Sequence, residues 1–420
     1  MSKKYPLYNN TKSDEWYERA AKVIPAGVYG HLGPAEGQFI PVNRWPRFSD
    51  KAQGTYFWDV DGNKYIDYMC ADGPNVLGYC DPDVDAAAME QIKLGNCTTS
   101  PNKIMVECAE LLVDTVNCAD WAFFAKNGND ATSGAILTAR AHTHKKKLIF
   151  FNGFYHGVAP MVQKIDYPGV LPEDVANNLY VDWDDIEGLK KLIAENDDIA
   201  ALIAQPYDHG NFYDNSFPKE GFWQEVRKLC TENGIVLIVD DVRAGFRLDL
   251  AGSDHFFGFE ADIICFCKAL ANGYNMSAFC GKEFLKSAAS SLSYTGSYWM
   301  SAVPFAACIA CINKMKKLDT PKLFKELGTE LTDGLKAAGA EHGFDLVVSG
   351  APALFYLRIA NDDNMLLHQE WIAECVNRGA FFASHHNHFI NAALTHEDIA
   401  TTIEIAEDAF KAVKKNHPEL

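Results

Sequence analysis

The segment Ile235-Val236-Leu237-Ile238-Val239-Asp240-Asp241-Val242 decides the fold class, because five consecutive aliphatic residues run directly into two carboxylates. An unbroken aliphatic run of this kind is typical of a strand that is buried on both faces, as in a parallel sheet. Similar runs alternate with helix-like segments, and the predicted strands are residues 121–125, 148–151, 200–204, 235–239, 263–267 and 276–280. This alternation predicts an α/β fold with a mainly parallel sheet between helices and a ligand beyond the C-terminal ends of the strands.

The two ends of the chain predict a second, smaller domain of α+β type. Residues 56–68 alternate in polarity around Asp61-Gly62, a sequence typical of a β-hairpin turn. Later elements are predicted as helices at 305–318, 321–342 and 396–415, the last with Thr395 as N-cap, and strands at 346–349 and 354–359. We therefore expect residues 1–65 to join the small domain, residues 66–305 to form the large domain and residues 306–420 to form the C-terminal small domain.

The composition excludes several classes of protein. Of the 420 residues, 48% are hydrophobic and 22% are charged, which is typical of a globular chain and not of a disordered one. The formal net charge of −18 would repel a phosphate backbone, so no nucleic-acid partner is expected. No aliphatic run approaches the ~20 residues that cross a bilayer, so no membrane partner is expected. The polar start of the chain favours the cytoplasm.

A metal site is not expected. The CxxC motif formed by Cys308 and Cys311 lies in an apolar run without a second pair nearby, so reduced and buried thiols are predicted for the 12 cysteines. The sequence His385-His386-Asn387-His388 has imidazoles at alternate positions, which suit a shared ion. No cysteine or acid with ligand spacing adjoins this sequence, and polar contacts to a substrate are the alternative.

Residues 126–130, Lys-Asn-Gly-Asn-Asp, connect a predicted strand to a helix. The N–H groups in the first turn of a helix attract anions, and Gly128 permits close approach, so this segment is a candidate phosphate site. The alternative is an ordinary turn with Asn129 or Asp130 as the N-cap.

Two further strand ends carry charged groups. Asp240 and Asp241 follow the most apolar strand, where a carboxylate requires a positive or hydrogen-bonding partner. One of the two can instead point outward or cap a helix. Lys268 follows the run 263–267, where loss of water lowers the pKa of an amine and leaves it able to attack a carbonyl. The alternative is a lysine whose ammonium reaches solvent at the strand exit.

A phosphate site, a buried acid and a strand-end lysine are together what pyridoxal 5'-phosphate requires. The aldehyde of this cofactor forms a Schiff base with a lysine, its pyridine nitrogen stays protonated beside a carboxylate, and its phosphate needs an anion site. The sequence therefore predicts an enzyme that uses pyridoxal 5'-phosphate.

The order of the motifs also resembles a known family, the class III pyridoxal-phosphate aminotransferases of fold type I. The resemblance is strongest to the branch around glutamate-1-semialdehyde aminomutase, and it spans most of the chain. Lys268 lies 28 residues beyond Asp240, the separation expected in this branch. The other matching segments are residues 56–78, 127–132, 154–157, 240–247 and 392–399.

This resemblance implies a role for individual residues. Lys268 forms the Schiff base and moves a proton, Asp240 pairs with the pyridine nitrogen, and Tyr155 and Val242 pack on opposite faces of the ring. A hydroxyl of the neighbouring subunit, from Ser297 or Thr295, reaches the phosphate, which implies a homodimer with its active site at the interface. The implied catalytic residues are Lys268, Asp240 and Tyr155. The implied cofactor-binding residues are Gly128, Asn129, Tyr155, His156, Asp240, Val242, Lys268, Thr295 and Ser297.

Several residues depart from the family pattern. Asn129 replaces a threonine, and Gln205-Pro206 replaces Glu-Pro ahead of a longer loop, which leaves open the group that contacts the phenolic oxygen of the cofactor. Asp72 stands where the aminomutase branch has tryptophan, and His386 stands near one of its glutamates. The candidates for binding a substrate carboxylate are Arg44, Arg47, Arg243 and Arg247.

These observations predict a cytoplasmic, homodimeric aminotransferase that moves an amino group from an amino acid or amine to a keto acceptor. The alternatives with the same cofactor are an aminomutase, which moves the amino group within one molecule, and an epimerase. A non-catalytic binding subunit is disfavoured because the chain has both Lys268 and Asp240. An NAD-dependent dehydrogenase is disfavoured because no GxGxxG follows a strand.

Overall fold

The computed structural model describes residues 5–28 and 46–418. The chain forms two compact units, and the larger one consists of Pro82–Gly210 and Ser216–Pro321. The smaller unit consists of Met1–Asp81, Asn211–Asn215 and Lys322–Leu420. The domain limits expected from the sequence, at residues 65 and 305, stay a prediction.

The helices and strands follow in chain order. The helices are α1 (Thr11–Ala20), α2 (Pro82–Leu94), α3 (Ile104–Thr115), α4 (Gly128–Thr143), α5 (Pro172–Val175), α6 (Ile186–Ala194), α7 (Phe222–Asn233), α8 (Ser253–Phe256), α9 (Glu283–Ser290), α10 (Ala302–Leu318), α11 (Thr320–Glu341), α12 (Leu366–Val376) and α13 (His396–Asn416). The strands are β1 (Ser49–Gln53), β2 (Tyr56–Asp59), β3 (Lys64–Asp67), β4 (Trp121–Ala125), β5 (Lys147–Phe151), β6 (Asn178–Val181), β7 (Ile199–Ala204), β8 (Val236–Asp240), β9 (Ile263–Phe266), β10 (Ser277–Gly281), β11 (Leu346–Ala351), β12 (Leu354–Ile359), β13 (Ala380–Phe381) and β14 (His388–Phe389).

Within the described residues, the larger unit has a seven-stranded sheet of order β4-β10-β9-β8-β7-β5-β6. The pairs β9-β8, β8-β7, β7-β5 and β5-β6 are parallel, whereas β10 is antiparallel to both of its neighbours. The prediction of a mainly parallel sheet is confirmed. Strands β7 and β8 are buried at every position, which explains their unbroken aliphatic sequences.

The core of the larger unit lies between the sheet and α4. Ala131, Ala135 and Ala139 are fully buried along one face of α4 and belong to the same apolar cluster as Ile203 and Ile238 of the central strands. Alanine at these three positions lets the helix approach the sheet closely. The packing therefore fixes the first turn of α4 at one edge of the sheet.

The smaller unit contains two sheets among its described residues, of order β1-β2-β3-β13 and β11-β12-β14. Strands β2 and β3 form the predicted antiparallel hairpin, with Gly62 at φ +88° in its turn. Thr395 caps α13 as predicted, because its side chain accepts a hydrogen bond from the N–H of Asp398. No helix within the described ranges is both long and apolar enough to cross a membrane.

Candidate active site

Most of the residues predicted for the site lie at one edge of the larger sheet. Strands β4, β5, β7, β8 and β9 run in the same direction, so their C-terminal ends meet there. Asp240 ends β8, and Lys268 follows β9 by two residues. The loop after β5 carries Tyr155 and His156, and the turn after β4 leads into α4 at Gly128. This edge is where open parallel sheets bind their ligands.

The turn between β4 and α4 is an ordered helix N-terminus. Asn127 is the N-cap, and the carboxylate of Asp130 accepts from the backbone N–H of Asn127 at 2.8 Å and of Lys126 at 3.2 Å. The interpretation of Asn129 or Asp130 as the cap is therefore wrong, since the helix begins earlier, at Gly128. The N–H groups at the start of an α-helix generally lack acceptors within the helix, which suits an anion, although the N–H of Asp130 already donates to the carbonyl of Asn127 at 3.0 Å.

Asn129 uses its side chain to hold the loop after β5. Its Oδ1 atom accepts hydrogen bonds from the N–H groups of Val158 at 2.9 Å and Ala159 at 2.7 Å. Gly157 has φ +117°, and a Cβ atom there would lie 2.6 Å from the same Oδ1 atom. The asparagine thus connects the phosphate-site candidate to the segment that carries His156.

His156 and Asp240 form a buried hydrogen-bonded pair. The Nδ1 atom of His156 lies 2.8 Å from the Oδ2 atom of Asp240, and Thr132 donates its hydroxyl to the carbonyl of His156 at 2.8 Å. Because a carboxylate only accepts, Nδ1 carries the proton of this bond. The Nε2 atom of His156 is buried without a hydrogen-bond partner among the described residues.

The neighbouring carboxylate has a different task. Asp241 accepts from the hydroxyl of Ser253 at 2.6 Å and from its backbone N–H at 2.9 Å, so it anchors the start of α8. Burial raises the pKa of Asp241 to about 7. Asp240 pairs with His156, whereas Asp241 is a buried anchor and not a surface residue.

Lys268 has an unusual backbone conformation. Its φ is +33°, and it begins a short 3-10 helix, Lys268–Ala271, directly after β9. A positive φ is rare for a residue with a side chain and recurs at functional sites. The preceding Cys267 is largely buried, and this burial raises the pKa of its thiol.

Tyr155 and Val242, the two residues predicted to pack on the cofactor ring, differ in burial. Tyr155 is 55% exposed, whereas Val242 is half-buried against the core cluster. Gly128 approaches Val242 closely, since a Cβ atom at position 128 would lie 2.8 Å from the Cγ1 atom of Val242. The structure thus brings together the start of α4 and the residue that follows the Asp240–Asp241 pair.

The segment that carries Thr295 and Ser297, whose hydroxyls are predicted to reach the phosphate, contacts α4 through Tyr294. The hydroxyl of Tyr294 donates to the carbonyl of Asp130 at 2.9 Å, while Thr295 and Ser297 are exposed. The carbonyl of Ser297 accepts from the thiol of Cys97 at 3.6 Å. Both hydroxyls are therefore accessible on the surface of this chain.

The family profile described as aminotransferase class-III matches residues 41–410. The chain belongs to the class-III aminotransferases. It is 38% identical over 415 residues to the aminopentol aminotransferase of Sphingopyxis macrogoltabida, a match that covers 99% of this chain and 97% of the relative. It is 31% identical over 434 residues to a glutamate-1-semialdehyde 2,1-aminomutase of Desulforamulus reducens, with 96% of this chain and 98% of the relative covered.

A solved structure extends this similarity to three dimensions. The FumI protein of Sphingopyxis sp. MTA144, solved in its PLP internal aldimine form, superposes with a TM-score of 0.93 at 38% identity and 98% coverage of both chains. The predicted family, the fold-type I architecture, the aminotransferase activity and the cofactor are confirmed.

The arginines predicted for substrate binding have diverse surroundings in this class-III aminotransferase. Arg47 pairs with Asp14 at 3.3 Å and lies over the ring of Tyr17. Arg243 donates from Nη1 to the carbonyl of His209 at 2.7 Å, and Arg247 is 1% exposed. Arg44 lies outside the described residues.

The histidine cluster of the small unit has hydrogen bonds of its own. The Nε2 atom of His388 accepts from the N–H of Ala383 at 3.1 Å, and burial lowers the pKa of His388 to about 3. Its neighbour His386 contacts the carbonyl of Asn387 through Nδ1 at 2.8 Å. In the described part of the chain, metal-like clustering occurs elsewhere, at Glu341, His342 and Glu407, and no second observation there points to an ion.

The sequence analysis missed two buried residues, Lys126 and His209, which follow strands β4 and β7. Lys126, directly before the phosphate-site candidate, is 9% exposed, and burial lowers its pKa to about 8. His209, in the loop after β7, is completely buried. A signal was available for Lys126, because it is a charged residue directly after predicted strand 121–125.

Proposed function

We propose that this class-III aminotransferase moves an amino group from an amino acid or amine to a keto acceptor, with pyridoxal 5'-phosphate attached to Lys268 and held by Asp240. The observation that carries the assignment of residues is the buried pair of His156 and Asp240. A buried carboxylate held 2.8 Å from an imidazole, at the end of the strand next to β9, supports a role for Asp240 as the partner of a protonated ring nitrogen.

The residues at this edge of the sheet fit the cofactor. The first turn of α4 suits a phosphate, and Asp240 and Lys268 follow adjacent strands. Among the described residues, the Oε1 atom of Gln205 and the Nε2 atom of His156 are buried without a hydrogen-bond partner. Both atoms therefore have the capacity to form a hydrogen bond with a ligand at this edge.

Each residue then has a defined task. When bound, the cofactor supplies an electron sink that stabilises negative charge on the substrate carbon. Lys268 provides the attachment amine and, once free, moves the proton at that carbon. Asp240 keeps the pyridine nitrogen protonated, and His156 fixes the carboxylate. Tyr155 and Val242 enclose the ring from its two faces.

We further propose that the enzyme is a homodimer and that Ser297 or Thr295 of one subunit reaches the phosphate of the other. Both residues are exposed in the single chain, next to Tyr298, which is 69% exposed. Exposed apolar residues continue along α2, where Met89, Ile92 and Leu94 are 55%, 59% and 75% exposed. Apolar side chains exposed in such a series are typical of an interface.

A cytoplasmic location belongs to the same proposal. All twelve cysteines are free, and all lie in the described ranges. Disulfides are rare in the reducing cytoplasm, whereas exported proteins commonly use them. Free thiols at this number therefore support a reducing compartment.

The central test replaces the amine that carries the cofactor. The purified enzyme is expected to absorb visible light, and borohydride is expected to bleach it and to leave the cofactor covalently bound to Lys268 in a peptide digest. Lys268→Ala is expected to abolish turnover of an amine with a 2-keto acid, while the exposed control Lys164→Ala retains it. Near-normal turnover by Lys268→Ala would contradict the proposal.

The aminomutase alternative has a relative at 31% identity, and one measurement separates the two reactions. A transaminase can form one equivalent of carbonyl product from the amine without an acceptor. Further turnovers require an external keto acceptor. An aminomutase isomerises its substrate without any acceptor. We expect repeated turnover to require the acceptor.

A further inference from the structure

The loop after β7 places an imidazole with unmet hydrogen-bonding capacity at the active-site edge. His209 is completely buried, and neither ring nitrogen has a hydrogen-bond partner among the described residues. A buried polar group without a partner destabilises a protein by about 1–3 kcal/mol, so such groups in native proteins call for an explanation. A ligand that forms a hydrogen bond with the imidazole is such an explanation.

The position of His209 is fixed from two sides. Arg243 donates from Nη1 to the carbonyl of His209 at 2.7 Å, and the ring of Tyr207 lies edge-on to the imidazole with the ring centroids 4.8 Å apart. Arg243 follows Asp240 by three residues, and β7 and β8 are parallel neighbours, with Ala204 opposite Val239. His209 is therefore held at the same edge of the sheet as Asp240.

The groups around the ring of His209 set its protonation. Burial lowers the pKa of His209 well below its ordinary value, and the positive charges of Arg243 and Lys268, with the neighbouring His156, lower it further. The imidazole is consequently neutral at physiological pH. A neutral imidazole offers one N–H donor and one acceptor nitrogen.

We propose that His209 contacts the pyridoxal ring and donates its N–H to the phenolic oxygen beside the carbon that is joined to Lys268. The inference rests on the proposed function and assigns a contact that the sequence pattern left open. Gln205, which replaces the family glutamate, already donates through its amide nitrogen to the carbonyl of Tyr155 at 3.0 Å. The phenolic oxygen is an anion when deprotonated, and it requires a donor.

Such a contact has a spectroscopic consequence. The deprotonated phenolic oxygen shares the proton of the adjacent Schiff-base nitrogen. A donor from His209 stabilises the negative charge on the oxygen and weakens the hold of the nitrogen on that proton. His209 therefore lowers the pKa of the Schiff base, and removal of the donor raises it.

The test titrates the visible absorption of the holoenzyme between pH 5 and 10 and measures the affinity of the apoenzyme for pyridoxal 5'-phosphate. His209→Phe keeps a ring and removes the donor, so the Schiff-base pKa is expected to rise by about one unit and the cofactor affinity to fall about tenfold. His209→Gln keeps a donor and is expected to restore most of both. The control His142→Phe makes the same change at an exposed imidazole of the larger unit and is expected to alter neither.

The outcomes separate the two proposals. If the wild type shows no Schiff base with Lys268, the proposed function fails. If the wild type shows it and His209→Phe keeps both the pKa and the cofactor affinity of the wild type, the role of His209 is overturned and the proposed function stands. If His209→Phe does not fold, His209→Ala compared with His209→Gln answers the same question.

Discussion

The Nδ1 atom of His156 lies 2.8 Å from the Oδ2 atom of Asp240, and both side chains are buried although 84 residues separate them in the chain. The pair joins the loop after β5 to the end of β8, with β7 between them in the sheet. The N–H of His156 stabilises the carboxylate in surroundings where it has little water. The imidazole is therefore a positioning residue for the acid that is proposed to meet the cofactor.

Replacement of His156 tests this positioning role. His156→Leu removes the donor and leaves the carboxylate of Asp240 buried with less stabilisation, so kcat is expected to fall about 10- to 100-fold. His156→Asn keeps a short donor and is expected to recover part of the loss. Steady-state kinetics with cofactor in excess measure both variants, and a kcat for His156→Leu within twofold of the wild type would contradict the role.

Replacement of Asp240 removes the charge itself. In Asp240→Asn the amide no longer favours a protonated pyridine nitrogen, and kcat is expected to fall by at least about 100-fold. The matched control is Asp241→Asn, which changes the adjacent carboxylate that anchors Ser253. Equal losses of kcat in the two variants would show that the site does not distinguish the two acids.

The sequence predicted the sheet well because its central strands are buried on both faces and have a strong local signal. Predicted strand 263–267 differs from β9 by one residue, and predicted strand 121–125 coincides with β4. Strand β6 was missed because only its last residue is buried and its sequence, Asn178-Leu179-Tyr180-Val181, has no periodic pattern. Short strand pairings such as that of β13 with β3 depend on tertiary contacts and give no recognisable pattern in the sequence.

The sequence predicted which residues belong to the candidate site but not the contacts between them. Motifs placed Asp240, Lys268 and the start of α4 at strand ends, and strand direction then brought them together. The partner of Asp240 was not predictable, since no local rule links residues on strands that are two apart in the sheet. His209 escaped for a similar reason, because a single histidine in a polar loop has no sequence signal for burial.

The buried carboxylate of Asp241 predicts a pH dependence of stability. Burial raises its pKa to about 7 in the folded state, compared with about 3.9 in an unfolded chain. The folded state therefore binds more protons between pH 4 and 7, and the contribution of Asp241 to stability is lost as the pH rises through this window. Asp241→Asn does not ionise, so its stability relative to the wild type is expected to increase from pH 4 to pH 7.

Melting temperatures of the two proteins at half-unit pH intervals measure this difference. The exposed control Glu173→Gln is expected to follow the wild type throughout. Parallel curves for Asp241→Asn and the wild type would mean that Asp241 is already ionised in the folded protein at pH 4.

The close approach of Gly128 to Val242 predicts a clash that a second substitution relieves. In Gly128→Ala the new methyl group meets the Cγ1 atom of Val242 at 2.8 Å, closer than side-chain carbons approach each other, so the valine or the start of α4 must move. Both flank the proposed cofactor site, and the affinity for pyridoxal 5'-phosphate is expected to fall about tenfold, an effect of the size that overpacking produces. Val242→Ala removes the obstructing methyl groups, so Gly128→Ala with Val242→Ala is expected to bind the cofactor more tightly than Gly128→Ala alone. Equilibrium titration of the apoenzymes measures all three variants, and a double variant weaker than both single variants would show that the two positions act independently on the cofactor.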